Sequence, residues 1–156
     1  LQWSAIRLDD APPTLTIVRG KTIASSRTLP LPPQAVAILR ALSPKKADYV
    51  FLSRTKGGRA EHLHGESLSR AFSRLCGRLK IDGAVLHDLR RTALSAIVEL
   101  TGDTALAERI AGHAGGSTLA KHYDRSTRLA PMLDALTAWA NAIDDAVARA
   151  REEHSR

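Results

Sequence analysis

Cysteine is nearly absent from this chain of 156 residues: Cys76 stands alone. That excludes an internal disulfide and a thiolate zinc cluster, and it fits a reducing compartment. No apolar run approaches the roughly 20 residues that a membrane-spanning helix requires. The opening stretch Leu1–Asp10 lacks the basic segment and apolar core of a secretion signal, so the expected location is the cytoplasm, with no membrane partner. Aromatic residues make up only 4%, too few for the stacking faces that grip single-stranded RNA. Methionine occurs once, at Met132, and the chain opens at Leu1, so a segment upstream is expected in the natural protein. Internal repeats and low-complexity tracts are missing as well.

What is present is ordinary globular composition, 44% hydrophobic and 25% charged, in a 16.8 kDa chain. This is enough for one domain with its own core. The net charge is +7, which favours a polyanionic partner through release of condensed counterions. The charge is unevenly placed: residues 1–80 carry 14 basic and 5 acidic side chains, whereas residues 81–156 carry 9 and 11. On charge alone, nucleic acid and simple solubility are equally good explanations.

The pattern along the chain predicts a mainly α fold with a small antiparallel β-sheet near the N-terminus. Residues 1–31 would form the sheet, 33–128 a helical core, and 129–156 a C-terminal helix and tail. Trp3–Leu8, Thr14–Val18 and Arg27–Leu31 read as strands from their alternation and from the proline clusters that separate them. From Pro33 the period becomes helical, with Val36, Leu39 and Leu42 on one stripe. Tyr49–Leu52 is a brief apolar run, and Arg54–Arg59 is a basic, glycine-containing loop. Ser67–Leu79 places Leu68, Phe72, Leu75 and Leu79 on one helical stripe and Arg70, Arg74 and Arg78 on another. Cys76 reads as a buried small hydrophobe. Further helices are expected over His87–Leu100, from Asp103 or Thr104 to Ala111, briefly after Ser117, and from Ala130 to Arg149. The last carries Met132, Leu136, Trp139, Ile143 and Val147 on one stripe, for packing at home or on a neighbouring subunit.

Chemistry concentrates in three segments. In His87-Asp88-Leu89-Arg90-Arg91-Thr92 an imidazole and a guanidinium lie three residues apart, so one helix face presents both to a single phosphate. Gly112-His113 follows, and then His122-Tyr123. A phenol, with an ordinary pKa of about 10, is a useful nucleophile only where cations stabilise the developing phenolate and the charge on phosphorus. Such cations are supplied by these same segments. His62 and His64 resemble a metal-binding pair, but without a cysteine partner and in a basic setting they do not argue for zinc.

In their order and spacing these segments resemble the tyrosine recombinases, or phage-type integrases. The resemblance rests on Trp3–Leu8, on Ile17-Val18-Arg19-Gly20-Lys21-Thr22 leading to Arg27-Thr28-Leu29-Pro30-Leu31, on His87-Asp88-Leu89-Arg90-Arg91-Thr92, on Ala111-Gly112-His113 and on His122-Tyr123. It implies site-specific cleavage and rejoining of double-stranded DNA through a 3′-phosphotyrosine, with no metal or cofactor. By resemblance Tyr123 is the nucleophile, and Arg90 holds the non-bridging oxygens. His87 assists proton transfer, His113 donates a hydrogen bond to the phosphate, and Lys21 protonates the leaving 5′-oxygen. Lys45, Lys46 and Lys56 compete for that last role. Arg19, Arg27, Arg54, Lys56, Arg70, Arg74 and Arg91 are the expected DNA contacts. A homo-oligomer, tetrameric on paired DNA sites, is implied for the full-length protein, in a bacterial or phage setting.

One part of the family pattern is not matched. A further arginine, in an Arg-x-x-Glu segment ahead of the first strand, would precede Leu1, and Arg7 does not replace it, so weak cleavage is expected from these residues alone. The alternative reading takes Asp103–Tyr123 as a non-catalytic helix-turn-helix-like DNA-binding unit.

Overall fold

The computed structural model describes residues 1–17, 27–42, 47–54, 60–112 and 129–155. Strands β1 (Ile6–Arg7), β2 (Thr14–Ile17) and β3 (Arg27–Pro30) form an antiparallel sheet in that order. The mainly helical remainder contains α1 (Pro33–Leu42), a hairpin of β4 (Leu52–Arg54) and β5 (Ala60–His62), then α2 (Gly65–Leu79), α3 (Leu86–Thr101), α4 (Thr104–Ala111) and α5 (Leu129–His154). The expected fold class, helices with a small N-terminal sheet, is the observed one.

Register in the sheet follows the alternation of apolar residues. Leu15 sits opposite both Ile6 and Leu29, and Ile17 lies opposite Arg27. The Thr16 and Thr28 hydroxyls approach to 3.2 Å across the β2–β3 pair, a cross-strand contact that holds the register. The first strand is shorter than its sequence suggests, because Trp3–Ala5 curl into a 3-10 turn. Pairing elsewhere explains the curl. The Trp3 amide donates to the Asp48 carbonyl at 2.9 Å, and the Val50 amide donates to the Leu1 carbonyl at 3.0 Å. The apolar run at Tyr49–Leu52 is therefore partly spent on pairing with the N-terminus. The basic stretch after Leu52 opens a second hairpin, in which Leu52, Ser53 and Arg54 pair with His62, Glu61 and Ala60.

Two apolar clusters hold these elements. Ile6, Leu31, Leu39 and Val50 are buried beneath the sheet and α1, with Trp3, Leu8, Leu15 and Val36 packed around them. Leu42, expected on the α1 stripe, is exposed instead. The second cluster joins Ile97 of α3, Leu106, Ala107 and Ile110 of α4, and Met132 and Ala135 of α5, with Leu29 of β3 packed against it. Ile97 is only 1% exposed. Its replacement by Ala removes three methyl or methylene equivalents from a site walled by several elements, and is expected to lower stability by about 2–5 kcal/mol. Urea unfolding checks this through a lower midpoint at unchanged slope.

Two amphipathic stripes are only partly buried. On α2, Cys76 is buried, but Leu68, Leu75 and Leu79 are 43–60% exposed; the helix packs against α3 and draws only part of its apolar face into contact. On α5 the stripe divides. Met132 is buried and Leu136 and Trp139 are packed on the second cluster, whereas Ile143 and Val147 are exposed. The helix runs past Arg149, to His154.

The turn between α3 and α4 is fully bonded. Thr101 Oγ1 donates to the Ile97 carbonyl at 2.7 Å and accepts from the Asp103 amide at 3.1 Å. Gly102 adopts φ +68° and donates its amide to the Val98 carbonyl at 2.8 Å. Asp103 Oδ1 accepts from the Leu106 amide at 2.8 Å, capping α4. The expected ends of both helices are observed here within a residue.

Candidate functional site

The N-terminus of α3 is fixed by Asp88, whose carboxylate accepts from the Val85 amide at 2.9 Å and reaches Arg91 at 3.3 Å. This satisfies a backbone donor that a helix start would otherwise leave unpaired. It also sets the phase of the first turns, so that exposed His87 and half-buried Arg90 occupy neighbouring positions at the positive end of the helix dipole. A phosphate is the natural occupant of such a place: the dipole, the guanidinium and a hydrogen-bonding imidazole all favour negative charge there.

Because α3 and α4 are antiparallel neighbours about a tight corner, the start of α3 lies beside the end of α4. Arg90 Nη2 donates to the Ala111 carbonyl, one of the acceptors that a helix C-terminus leaves open. Gly112 then caps α4 in the left-handed conformation, φ +70°, with its amide directed at the carbonyls of Glu108 and Arg109. A second guanidinium meets the same point: a Cβ on Gly112 would overlap Arg27 of β3. Arg27, Arg90 and the residue pair Ala111–Gly112 thus converge, and His113 is the next residue in the chain.

Of the expected catalytic set, His87 and Arg90 lie on α3 as the spacing requires. Lys21, His113 and Tyr123 fall outside the described residues, as do Arg19 and Lys56, the competing Lys45 and Lys46, and the short helix expected after Ser117. Arg54 is placed in β4, paired with Ala60. Arg70 and Arg74 are exposed on α2, and Arg70 pairs with Glu66 at 3.1 Å. Arg91 is exposed and pairs with Asp88. Such surface pairs are worth little and yield readily to a phosphate. Arg27 is half-buried, and its position against Gly112 goes beyond the DNA contact that the sequence suggests. The signal was available: Arg27 and Leu29 share one face of a strand, and Leu29 faces the helical cluster.

The His62 and His64 rings lie tilted at 47° with centroids 4.7 Å apart, and the Tyr49 ring centroid lies 5.2 Å from that of His62. Among the described residues no group of three or more His, Cys, Asp or Glu side chains is arranged to hold a metal ion, and no described helix is long and apolar enough to cross a membrane. The helix-turn-helix alternative has α4 as its first helix, with Leu106, Ala107, Ile110 and Ala111 buried; its second element lies outside the described residues.

A model described as the phage integrase family covers residues 1–129, which takes in the sheet, the α3–α4 corner and the segments that carry His113 and Tyr123. No curated protein and no solved structure matches the chain.

Proposed function

Because the chain belongs to the phage integrase family of site-specific recombinases, we propose that it cleaves and rejoins double-stranded DNA with Tyr123 as nucleophile. The observation that carries this reading is the bond from Arg90 to the Ala111 carbonyl. It ties the His87/Arg90 face of α3 to the chain two residues ahead of His113, so that residues far apart in sequence serve one phosphate.

In the proposed reaction Tyr123 Oη attacks phosphorus, forming the O–P bond of a 3′-phosphotyrosyl link while the bond from phosphorus to the 5′-oxygen breaks. The phenol proton passes toward His87, an imidazole being suited to proton transfer near neutral pH. Lys21 donates a proton to the departing 5′-oxygen. Arg90 and His113 neutralise the charge that builds on the non-bridging oxygens, the contribution that usually dominates such catalysis. Reversal with a different 5′-hydroxyl rejoins the strand, and cationic side chains supply all the electrophilic assistance required. Arg19, Arg54, Lys56, Arg70, Arg74 and Arg91 hold the duplex by its phosphates, as a homo-oligomer on paired sites in the full-length protein.

The test uses a pool of duplexes of random sequence carrying 5′-bridging sulfur, incubated at length with the chain. Covalent adducts resolved on a denaturing gel and lost in Tyr123→Phe support the reading, and adducts that persist in Tyr123→Phe oppose it. The same substrates test Lys21. A thiolate leaves without protonation far more readily than an alkoxide, since thiols ionise near pH 8.5. Lys21→Ala is therefore expected to slow cleavage of the oxygen substrate about a hundredfold and that of the sulfur substrate only slightly. Equal losses on both would assign the acid role elsewhere, to Lys45, Lys46 or Lys56.

A further inference from the structure

We propose that Arg27 is a positioning residue that fixes the end of α4, and with it the departure point of His113, by laying its guanidinium on Gly112. The inference rests on the reading of the site given above and gives Arg27 a role distinct from a DNA contact.

Strand parity sets the direction of the side chain. Arg27 and Leu29 lie on one face of β3, and Leu29 packs on the cluster formed by α3, α4 and α5. Arg27 therefore points to the rim of that cluster, where α4 ends, and is half-buried there. Gly112 meets it. A left-handed cap alone would accept Asn as well as Gly, and a Cβ at this position would also meet the Arg27 guanidinium, which would have to move off Gly112 to admit it. The glycine thus answers to its neighbour as well as to its own φ.

Electrostatics favour the same arrangement. The C-terminal end of a helix is its negative pole, and two guanidiniums reach the end of α4 from different directions, Arg90 from α3 at Ala111 and Arg27 from β3 at Gly112. Arg27 also stands six residues after Lys21, at the strand end of the segment that carries it. One side chain accordingly connects the segment bearing the general acid to the segment bearing His113. A charge held there through a rigid planar fork constrains position in a way that a flexible ammonium does not.

The test compares Arg27→Ala, Arg27→Lys, Gly112→Ala and the double variant R27A/G112A, each first shown to be folded by circular dichroism. Amide hydrogen exchange at Ala111 and Gly112 is expected to quicken at least tenfold in R27A, with Ile97 unchanged. The single-turnover rate of adduct formation at saturating DNA is expected to fall at least tenfold in R27A, with affinity altered less than threefold. Arg27→Lys is expected to keep affinity without restoring the rate. Gly112→Ala is expected to show a similar rate loss, and the double variant to be no slower than Gly112→Ala alone. Unchanged exchange, a rate restored by Lys or by more DNA, or losses that multiply in the double variant would each overturn the proposal. Failure of the underlying reading has a separate signature, adduct that survives Tyr123→Phe, and the exchange measurement decides the Arg27 contact without reference to cleavage.

Discussion

Tyr123→Phe is expected to eliminate covalent DNA adduct completely, because it removes the atom that forms the bond to phosphorus in the proposed reaction and leaves the ring in place. No neighbouring side chain substitutes for a nucleophile whose approach must lie in line with the departing 5′-oxygen. Binding is expected to suffer far less: one hydroxyl contributes on the order of 1 kcal/mol, or less than tenfold in affinity. The measurement is a denaturing gel for adduct beside a gel-shift titration for affinity. Loss of the first with retention of the second identifies a nucleophile. A helix-turn-helix reader would behave otherwise, with Tyr123 as a phosphate contact: affinity would decline and no adduct would form before or after the substitution.

Arg90→Ala is expected to carry the next largest loss, because the proposed reaction gives Arg90 a second task beside its bond to the Ala111 carbonyl. Removing a cation from the transition-state phosphate costs on the order of a thousandfold in cleavage rate. The substitution also takes away the donor to the Ala111 carbonyl, and a half-buried acceptor left without it costs about 1–3 kcal/mol of stability. Arg90→Lys separates the tasks. An ammonium retains the charge but lacks the planar fork that holds two oxygens at once, so the expected rate remains at least about a hundredfold below that of the unchanged chain. Parallel rate and urea-unfolding measurements on the two variants check both parts. A Lys variant as fast as the original would show that charge alone suffices, and would remove the argument from geometry.

The predictions that succeeded from sequence were those set by local physics. The ends of α3 and α4 were visible because Thr101, Gly102 and Asp103 are residues that stop and start helices for reasons internal to the turn. The strands β2 and β3 are legible in the alternation of Leu15 and Ile17 and in the proline clusters on either side. Failures came where a distant partner decided the outcome. Trp3–Ala5 alternate like a strand but curl, since residues 48–50 claim the adjacent backbone. Leu68, Leu75 and Leu79 keep a helical period that no described element fully covers. The same division runs through the site. The spacing of His87 and Arg90 made their shared face legible, whereas the reach of Arg90 to Ala111 and of Arg27 to Gly112 depends on how β3, α3 and α4 are packed together. No periodicity encodes that packing.

The short corner between α3 and α4 also limits how the protein can change length. One residue added at Gly102 would break up the set of bonds that Thr101, Gly102 and Asp103 make across the turn, and α4 would start from a different point. A shifted start would displace Ala111 from Arg90, and Leu106, Ala107 and Ile110 from their places in the core. The length of this corner is therefore tied to the contact between α3 and α4, and variation among natural relatives is expected to spare it even where its residues differ.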